Sequence, residues 1–265
     1  MSKVIIVTGA SGGIGKACAA YLAAKGNRVY GTSRRSPEGI DESGAFPMVR
    51  MDVTDQSQVA AAIRLVRERE GRIDAVVNNA GLHIIGPLEC VSVDDIETSW
   101  RTNCLGAILV CREVAPIMRA QGGGRIINVS SVGGVIGLPF QGAYSGSKYA
   151  LEGMTDILRG ELRPFGISVS LIEPGDIRHQ DSHGEAEVSP AYAESYARAM
   201  KVAWADEEKG YPAERIGPLV ARILASPRPK ARYGFGQAFQ ALVPILKRLL
   251  PGRLVEAGVR AYYHT

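Results

Sequence analysis

The sequence predicts a doubly wound α/β domain, with a parallel sheet of about seven strands and helices on both faces. Along the 265 residues, short runs rich in valine and isoleucine alternate with longer stretches of helical period, which is typical of strand–helix–strand units. Most of the short runs are continuously apolar rather than alternating. Strands of a parallel sheet have this pattern because helices cover both of their faces.

Six strands and four helices are expected. The strands are expected at Lys3–Thr8, Arg28–Ser33, Pro47–Met51, Ile73–Asn78, Gly124–Ser130 and Ile167–Glu173. The helices are expected at Gly13–Lys25, Asp55–Glu70, Val93–Gln121 and Gly142–Arg163. For Val93–Gln121, a break near Glu97 is the alternative to one continuous helix.

Composition excludes several classes of protein. The 31 basic and 27 acidic residues are interspersed and give a net charge of only +4, whereas a nucleic-acid-binding protein clusters its lysines and arginines. The four cysteines form no CxxC pair and no cysteine–histidine set with zinc spacing, so no metal site is expected. The N-terminal apolar run is too short for a secretory signal, and no run approaches the roughly 20 residues that span a bilayer. We therefore expect a cytoplasmic protein with no integral membrane segment.

One domain covering residues 1–265 is expected, because no repeat or flexible linker divides the chain. Residues 178–210 are polar, acidic and alanine-rich and follow a strand end, so they are a candidate lid over a substrate cleft; an ordinary pair of surface helices is the alternative. Residues 235–265 form a C-terminal extension. Its apolar stretch Leu242–Leu250 has two interpretations. It is a helix that faces the core or a second subunit, or it makes an interfacial contact with a membrane.

A glycine-rich turn lies between the first strand and the first helix, with Gly9, Gly13 and Gly15. Such a turn lets the backbone approach a pyrophosphate, whose charge then meets the N–H groups and positive dipole end of the helix. The spacing differs from the GxGxxG fingerprint, but its place between a strand and a helix still predicts a dinucleotide-binding loop.

The end of the second strand indicates which dinucleotide is bound. A site for NAD places an acidic residue there to bond the ribose 2′-hydroxyl. This chain has Ser33, Arg34 and Arg35 instead, with no carboxylate before Glu38. Two guanidinium groups suit a phosphate dianion, so NADP(H) is the expected cofactor, with Arg34 as the principal contact; two solvated surface arginines are the alternative.

An ordered series of motifs resembles the classical short-chain dehydrogenase/reductase family. The motifs are TGxxxGIG at Thr8 to Gly15, an aspartate at Asp52 before Val53, NNAG at Asn78 to Gly81, a helix asparagine at Asn103, a serine at Ser131, and YxxxK at Tyr144 and Lys148. The resemblance implies a Rossmann-type domain and a homodimer or homotetramer built partly from the helices around Val93–Gln121 and Gly142–Arg163.

The same resemblance, together with the glycine loop and the arginines, gives the expected cofactor-binding set. It comprises Gly9, Ser11, Gly13, Ile14, Gly15, Ser33, Arg34, Arg35, Asp52, Val53, Asn79, Ala80, Gly81, Tyr144, Lys148, Pro174, Gly175 and Ile177. Pro174 and Gly175 resemble the family's PG turn beside the nicotinamide. The family continues as PGxxxT, but here His179 replaces the threonine, so we expect the main chain of Ile177 to bind the carboxamide instead.

Tyr144 and Lys148 are four residues apart at the start of an expected helix, so both project from one face. A phenol has a pKa near 10, and a nearby ammonium favours the phenolate and lowers that pKa; the positive ring of the oxidised cofactor acts in the same direction. Tyr144 is therefore the expected general acid in reduction and general base in oxidation.

Ser131 follows a strand at the sheet edge where α/β proteins hold ligands, so its hydroxyl is expected to stabilise charge on the substrate oxygen. By resemblance, Lys148 also holds the nicotinamide ribose, and Asn103 keeps a water that links Lys148 to solvent. The expected catalytic set is Asn103, Ser131, Tyr144 and Lys148.

The segments from Ser131 to Phe140, from Tyr144 to Gly153 and from Leu162 to Gly175 resemble the 17β-hydroxysteroid and retinol dehydrogenase branch. The expected reaction moves a hydride between the nicotinamide and a carbonyl or secondary alcohol, with a bulky apolar ketone such as a steroid, retinoid or polyketide as substrate. The apolar residues Val135, Leu138, Pro139 and Phe140 are candidates for the pocket wall, or for core packing.

Two other functions are alternatives to this oxidoreductase activity. A member of the same family can use its cofactor for epimerisation or dehydration, and a catalytically silent member can act as a dinucleotide sensor. The intact set of Ser131, Tyr144 and Lys148 argues against a sensor, which has no need of a proton donor.

Overall fold

The computed structural model describes residues 2–178 and 184–265, and it confirms the doubly wound α/β fold. The strands are β1 (Val4–Thr8), β2 (Arg28–Ser33), β3 (Ile40–Asp41), β4 (Met48–Arg50), β5 (Ala75–Asn78), β6 (Ile84–Ile85), β7 (Gly124–Val129), β8 (Ile167–Pro174), β9 (Ile177–Arg178), β10 (Gly184–Glu185), β11 (Tyr211–Pro212) and β12 (Arg232–Phe235). The α-helices are α1 (Gly13–Ala24), α2 (Gln56–Glu70), α3 (Val93–Trp100), α4 (Gly106–Ala120), α5 (Gly142–Leu162), α6 (Ala193–Glu208), α7 (Ile216–Ala225), α8 (Ala238–Leu249) and α9 (Gly252–Tyr263).

The main sheet has the order β12-β8-β7-β5-β1-β2-β4-β3. Seven of these strands are parallel, and the two-residue β3 pairs with β4 in the antiparallel direction. All six expected strands are present. The expected sheet of about seven strands is thus confirmed, but the position of the seventh parallel strand, β12, was not predicted, because RYGF carries a charge and a glycine in four residues and offers no apolar run.

Helices cover both faces of the sheet. Because side chains alternate along a strand, Ile5 and Val7 of β1 pack on the side of α1 and α7, whereas Val4 and Ile6 pack on the side of α2 and α4. β1 lies between β2 and β5, so the chain runs outward from β1 in both directions. Ligands of such sheets bind beyond the carboxyl ends of the strands at this switch point.

The break expected near Glu97 is wrong. Helix α3 runs through Glu97, and its start is stabilised by Ser92, whose hydroxyl accepts a hydrogen bond from the Asp95 N–H at 3.1 Å. The irregularity comes later, as a π-helical turn at Arg101–Leu105 that joins α3 to α4. Such turns insert an extra residue into a helix and often occur at functional sites.

The candidate lid contains α6, which packs on α9: the Tyr262 hydroxyl donates a hydrogen bond to Asp206 Oδ2 at 2.7 Å. His179 lies outside the described residues, and a lid movement stays a prediction.

The alternative that Leu242–Leu250 faces the core is wrong for Leu242, Ile245 and Leu249, which are 50%, 53% and 75% exposed on α8.

Across the two described ranges, no helix has both the length and the apolar character required to cross a bilayer. Within the same ranges, no group of three histidine, cysteine or acidic side chains is placed to hold a metal ion. Trp100 of α3 and Met154 and Ile157 of α5 are exposed, on the helices that the resemblance assigns to a subunit interface; the oligomeric state stays a prediction.

Candidate active site

A cavity of about 1160 Å³ lies at the carboxyl edge of the sheet. It follows the ends of six parallel strands, because its walls include residues just after β1, β2, β4, β5 and β7 and at the end of β8. Of the expected site residues, those lining the cavity are Gly9, Ser11, Ile14, Ser33, Arg34, Arg35, Asp52, Val53, Asn79, Ala80, Gly81, Ser131, Tyr144, Lys148, Pro174, Gly175 and Ile177. Gly13, Gly15 and Asn103 lie behind this wall.

The glycine loop fits closely against the end of β5. Gly9 has a φ of +66°, and a Cβ there would lie 2.8 Å from Ala80 Cα. A Cβ on Gly15 would lie 2.3 Å from the carbonyl oxygen of Gly9. Gly15 is therefore required for the packing of α1 against the loop, and a contact of Gly15 with the cofactor stays a prediction.

Thr8 holds the loop and the NNAG segment together. Its hydroxyl accepts hydrogen bonds from the N–H groups of Asn79 and Ala80, both at 2.9 Å, and the Asn79 amide donates to the Thr8 carbonyl at 3.0 Å. Thr8 is 1% exposed. The sequence placed Thr8 in the motif, but its role in joining two strand ends required the structure.

The start of α1 fits a phosphate group. No described side chain caps this helix, whose N-cap is Gly12, and its first turn contains no acidic residue. Its terminal N–H groups and positive dipole end therefore face the cavity without a competing carboxylate. Together with the close-packed glycines, this observation shows that the residues present fit a dinucleotide.

The arginines that follow β2 are exposed at the cavity wall. The Ser33 hydroxyl accepts a hydrogen bond from the Arg35 N–H at 3.2 Å, which fixes the turn. In the part of the chain that the structure describes, neither Arg34 nor Arg35 forms an ion pair with a carboxylate. Asp52 lies beside the end of β2, because the preceding Met51 N–H donates to the Ser33 carbonyl at 3.1 Å. The Oδ1 of Asp52 accepts hydrogen bonds from the N–H and hydroxyl of Thr54 at 2.9 and 2.8 Å.

Ser131, Tyr144 and Lys148 meet at one end of the cavity. The Ser131 hydroxyl is hydrogen-bonded to the Tyr144 phenol, and it also accepts from the Gly133 N–H at 3.0 Å. Lys148 is 5% exposed. Its Nζ donates to the Val129 carbonyl at 2.8 Å and lies 5.8 Å from the centre of the Tyr144 ring. The lysine therefore faces the tyrosine, as its position one turn later predicts.

Burial is the largest influence on the ionisation of both members of this pair. Burial raises the pKa of Tyr144; the hydrogen bond from Ser131 opposes that rise, and the negative charge of Asp176 adds to it. Burial also lowers the pKa of Lys148 to about 8, against an opposing effect of Glu152. That Lys148, together with the positive ring of the oxidised cofactor, lowers the pKa of Tyr144 stays a prediction; among the protein groups, the Ser131 hydrogen bond is the effect that lowers it.

Asn103 lies in the π-helical turn and is 1% exposed. Its Nδ2 donates to the Leu82 carbonyl and to the Ser147 hydroxyl, both at 2.9 Å, and its Oδ1 accepts from the Leu82 N–H at 2.8 Å. These bonds hold the strand-end segment 81–82 against α5, next to Lys148. The water-holding role stays a prediction.

Sequence reasoning missed His83 and Gln141. The His83 ring lies 4.2 Å from the Tyr144 ring, centre to centre, and its Nε2 is 2.8 Å from Gln141 Oε1. Both residues line the cavity. His83 comes just after the NNAG motif, which was the only sequence signal for it; Gln141 carried none.

The far half of the cavity is formed by α6, α8 and α9. Its walls there include Ala203, Val243, Leu246 and Val259, which suit an apolar group, and also the charged side chains Asp206, Glu207 and Lys247. Asp176 lies between this half and Tyr144. Burial raises the pKa of Asp176 to about 6, opposed by a hydrogen bond from the Gln240 amide, and the nearby carboxylates Asp206 and Glu207 raise it further.

The motif series is matched by a family profile. The profile of the short chain dehydrogenase family covers residues 3–187, and the chain belongs to this family. It is therefore an oxidoreductase of the type that binds a nicotinamide dinucleotide.

Three relatives add detail. The chain is 36% identical to a 3-ketodihydrosphingosine reductase of Bacteroides thetaiotaomicron over 98% of each chain. It is 31% identical to an NADPH-dependent 3-dehydrocapnine reductase of Ornithobacterium rhinotracheale over 87% of each chain. It is 38% identical to human 17-beta-hydroxysteroid dehydrogenase type 1 over 66% of this chain and 56% of that one. The last match confirms the resemblance to the hydroxysteroid dehydrogenase branch.

Proposed function

We propose that this protein is an NADPH-dependent reductase of apolar ketones, which also oxidises the corresponding secondary alcohols. The main support is that Ser131, Tyr144 and Lys148 lie in the same cavity as the glycine loop and beside its apolar half. A ketone in the apolar half would then reach both a proton donor and the cofactor. The family relationship and the printed names of two reductases, 3-ketodihydrosphingosine reductase and 3-dehydrocapnine reductase, agree with this proposal.

The protein groups have separate roles in the proposed reaction. NADPH, when bound by the glycine loop, Arg34, Asp52 and Lys148, supplies the hydride. The hydroxyls of Ser131 and Tyr144 donate hydrogen bonds to the carbonyl oxygen and so stabilise the charge that develops there. Tyr144 gives its proton to that oxygen, and the raised pKa of the phenol keeps the proton available at neutral pH. In the direction of oxidation Tyr144 takes the proton back.

We expect the enzyme to oxidise NADPH when it is given a ketone with a long or bulky apolar group. A panel should contain 3-ketodihydrosphingosine, a steroid ketone, retinal and a small polar ketone, and the loss of NADPH absorbance should be followed with each. The apolar members, which are two ketones and the aldehyde retinal, should have the higher kcat/KM because they bury more surface in the far half of the cavity. Equal values for all members of the panel would contradict the apolar substrate, and no turnover with any member would contradict the reductase.

Replacement of Arg34 by alanine is expected to weaken NADPH binding by about 10–100-fold and to leave NADH binding unchanged. The reason is the loss of charge-assisted hydrogen bonds to the 2′-phosphate, each of about 1.5–3 kcal/mol. The dissociation constants of both cofactors should be measured by fluorescence titration, with Arg64→Ala on the exposed face of α2 as the control. Equal wild-type affinity for the two cofactors, unaltered in Arg34→Ala, would remove the argument for NADP(H).

The rate of ketone reduction should fall as the pH rises through about 8. The folded-state pKa of Lys148 is lowered to about 8, so its ammonium is present below that pH and is lost above it, together with its effect on Tyr144. The log of kcat/KM should be measured from neutral to alkaline pH for the parent and for Lys148→Arg. The guanidinium stays charged throughout, so the variant should lose this alkaline limb; an identical limb in both proteins would assign it to another group.

A further inference from the structure

Helices α8 and α9 present an apolar surface to solvent. We define the apolar C-terminal face by Phe239, Leu242, Ile245, Leu249, Leu250 and Leu254, all of which are exposed. At 3.6 residues per turn, the residues on α8 fall within an arc of about 120° around the helix. The inner side of α8 contacts the rest of the protein through the buried Pro244 and through Gln240, whose side-chain oxygen accepts a hydrogen bond from the Asp176 N–H at 3.1 Å.

Positive charge flanks this face. Helical geometry places Lys247 on one edge of the apolar arc and Arg248 on the other, and Arg253 follows at the start of α9. From residue 238 to the end of the chain there are four basic residues and one acidic residue, Glu256. Aliphatic side chains bordered by lysine and arginine are typical of helices that lie in the headgroup region of an anionic membrane.

The mouth of the cavity opens within the same face. Phe239, Leu250 and Leu254 are exposed to solvent and also line the cavity that contains Tyr144. Leu242, Ile245 and Leu249 continue the apolar surface outward and do not belong to the cavity wall. A surface that only joined two subunits would bury this mouth, whereas a surface resting on lipid would leave the apolar path open at the bilayer.

We propose that the apolar C-terminal face docks on the surface of an anionic phospholipid bilayer and opens the cavity to apolar molecules held there. The leucines and Ile245 enter the headgroup boundary, and Lys247, Arg248 and Arg253 meet the lipid phosphates. This contact is independent of the proposed reaction, because the apolar and charged residues that form it are outside the proton-transfer group.

The test measures sedimentation of the full-length protein with vesicles in the absence of substrate. Vesicles of phosphatidylcholine with phosphatidylglycerol should bind the protein, and vesicles of phosphatidylcholine alone should bind it more weakly. The triple variant Leu242→Gln/Ile245→Gln/Leu249→Gln should bind the anionic vesicles at least about tenfold more weakly than the parent, because it loses the apolar contribution to binding. Arg248→Gln and Arg253→Gln should each weaken binding about fivefold, on anionic vesicles alone.

Matched controls separate docking from other effects. Leu249→Gln alone should weaken binding, whereas Val93→Gln, at a similarly exposed site on α3, should not. Circular dichroism melting should show that the triple variant folds like the parent. Undiminished vesicle binding by the folded triple variant would overturn the proposal. In that case, light scattering that showed the parent as an oligomer and the triple variant as a monomer would mean that the face joins two copies of the chain.

Discussion

Replacement of Tyr144 by phenylalanine is expected to lower kcat for ketone reduction by about 10²–10⁴-fold, the usual contribution of a positioned proton donor. The variant keeps the ring that lies against His83 and loses the hydroxyl that Ser131 contacts. Cofactor binding and folding should therefore change little, and the loss should fall on kcat rather than on KM. Steady-state kinetics with the best ketone of the panel, together with NADPH titration, would measure both.

Tyr149 supplies the matched control for this experiment. It lies on the same helix five residues later, exposed, and its hydroxyl donates to the Val135 carbonyl. Tyr149→Phe removes the same atom from a tyrosine that does not line the cavity, so its kcat should stay within about twofold of the parent. If Tyr144→Phe turned over ketone as fast as Tyr149→Phe, the proton-transfer role of Tyr144 would be wrong.

Replacement of Arg232 by methionine is expected to lower the free energy of unfolding by about 3–5 kcal/mol, the cost of removing one partner from a buried ion pair. Arg232 of β12 donates to Glu173 of β8 at 2.6 Å, to Asp156 of α5 at 2.7 Å and also to Glu152 of α5. Glu152 and Glu173 are 6% and 2% exposed. The methionine would leave both carboxylates buried without their cation. Urea unfolding would measure the loss.

The pH dependence of that loss gives a second readout. Burial already raises the pKa of Glu152 against the opposing effect of Arg232, so loss of Arg232 would raise that pKa further and the folded state would bind more protons. The deficit in stability should then shrink as the pH falls through that raised pKa. As a control, Arg50→Met breaks an exposed pair with Glu38 and should cost at most about 1 kcal/mol at any pH. A deficit in Arg232→Met that did not change with pH would point to lost packing instead of unpaired carboxylates.

Sequence reasoning was most reliable where a local pattern fixes a local structure. The run from Val4 to Val7 can only be buried on both faces, and it forms the central strand β1. The glycine turn was located correctly because a turn between a strand and a helix needs residues without side chains. Where no local pattern existed, prediction failed: β12 has one glycine and one arginine in four residues, and it joins the sheet because Arg232 reaches carboxylates on two other elements.

The candidate site shows the same division. The spacing of Tyr144 and Lys148 determined that the two side chains face each other, since residues four apart share one side of a helix. It did not determine their pKa values, because those depend on burial by strands and loops far away in the chain. The contacts of His83 and Gln141 with the site likewise needed residues more than fifty positions apart to meet.

The sequence by itself determined the parallel sheet, the nucleotide loop and the alignment of tyrosine with lysine, because strand burial, glycine geometry and helical period act over a few residues. Tertiary structure alone decided that burial raises the pKa of Tyr144 and lowers that of Lys148, that Arg232 joins three acidic side chains, and that α8 and α9 form both a wall of the cavity and an exposed apolar face. These features depend on solvent exclusion and on contacts between distant segments, which no local pattern of residues encodes.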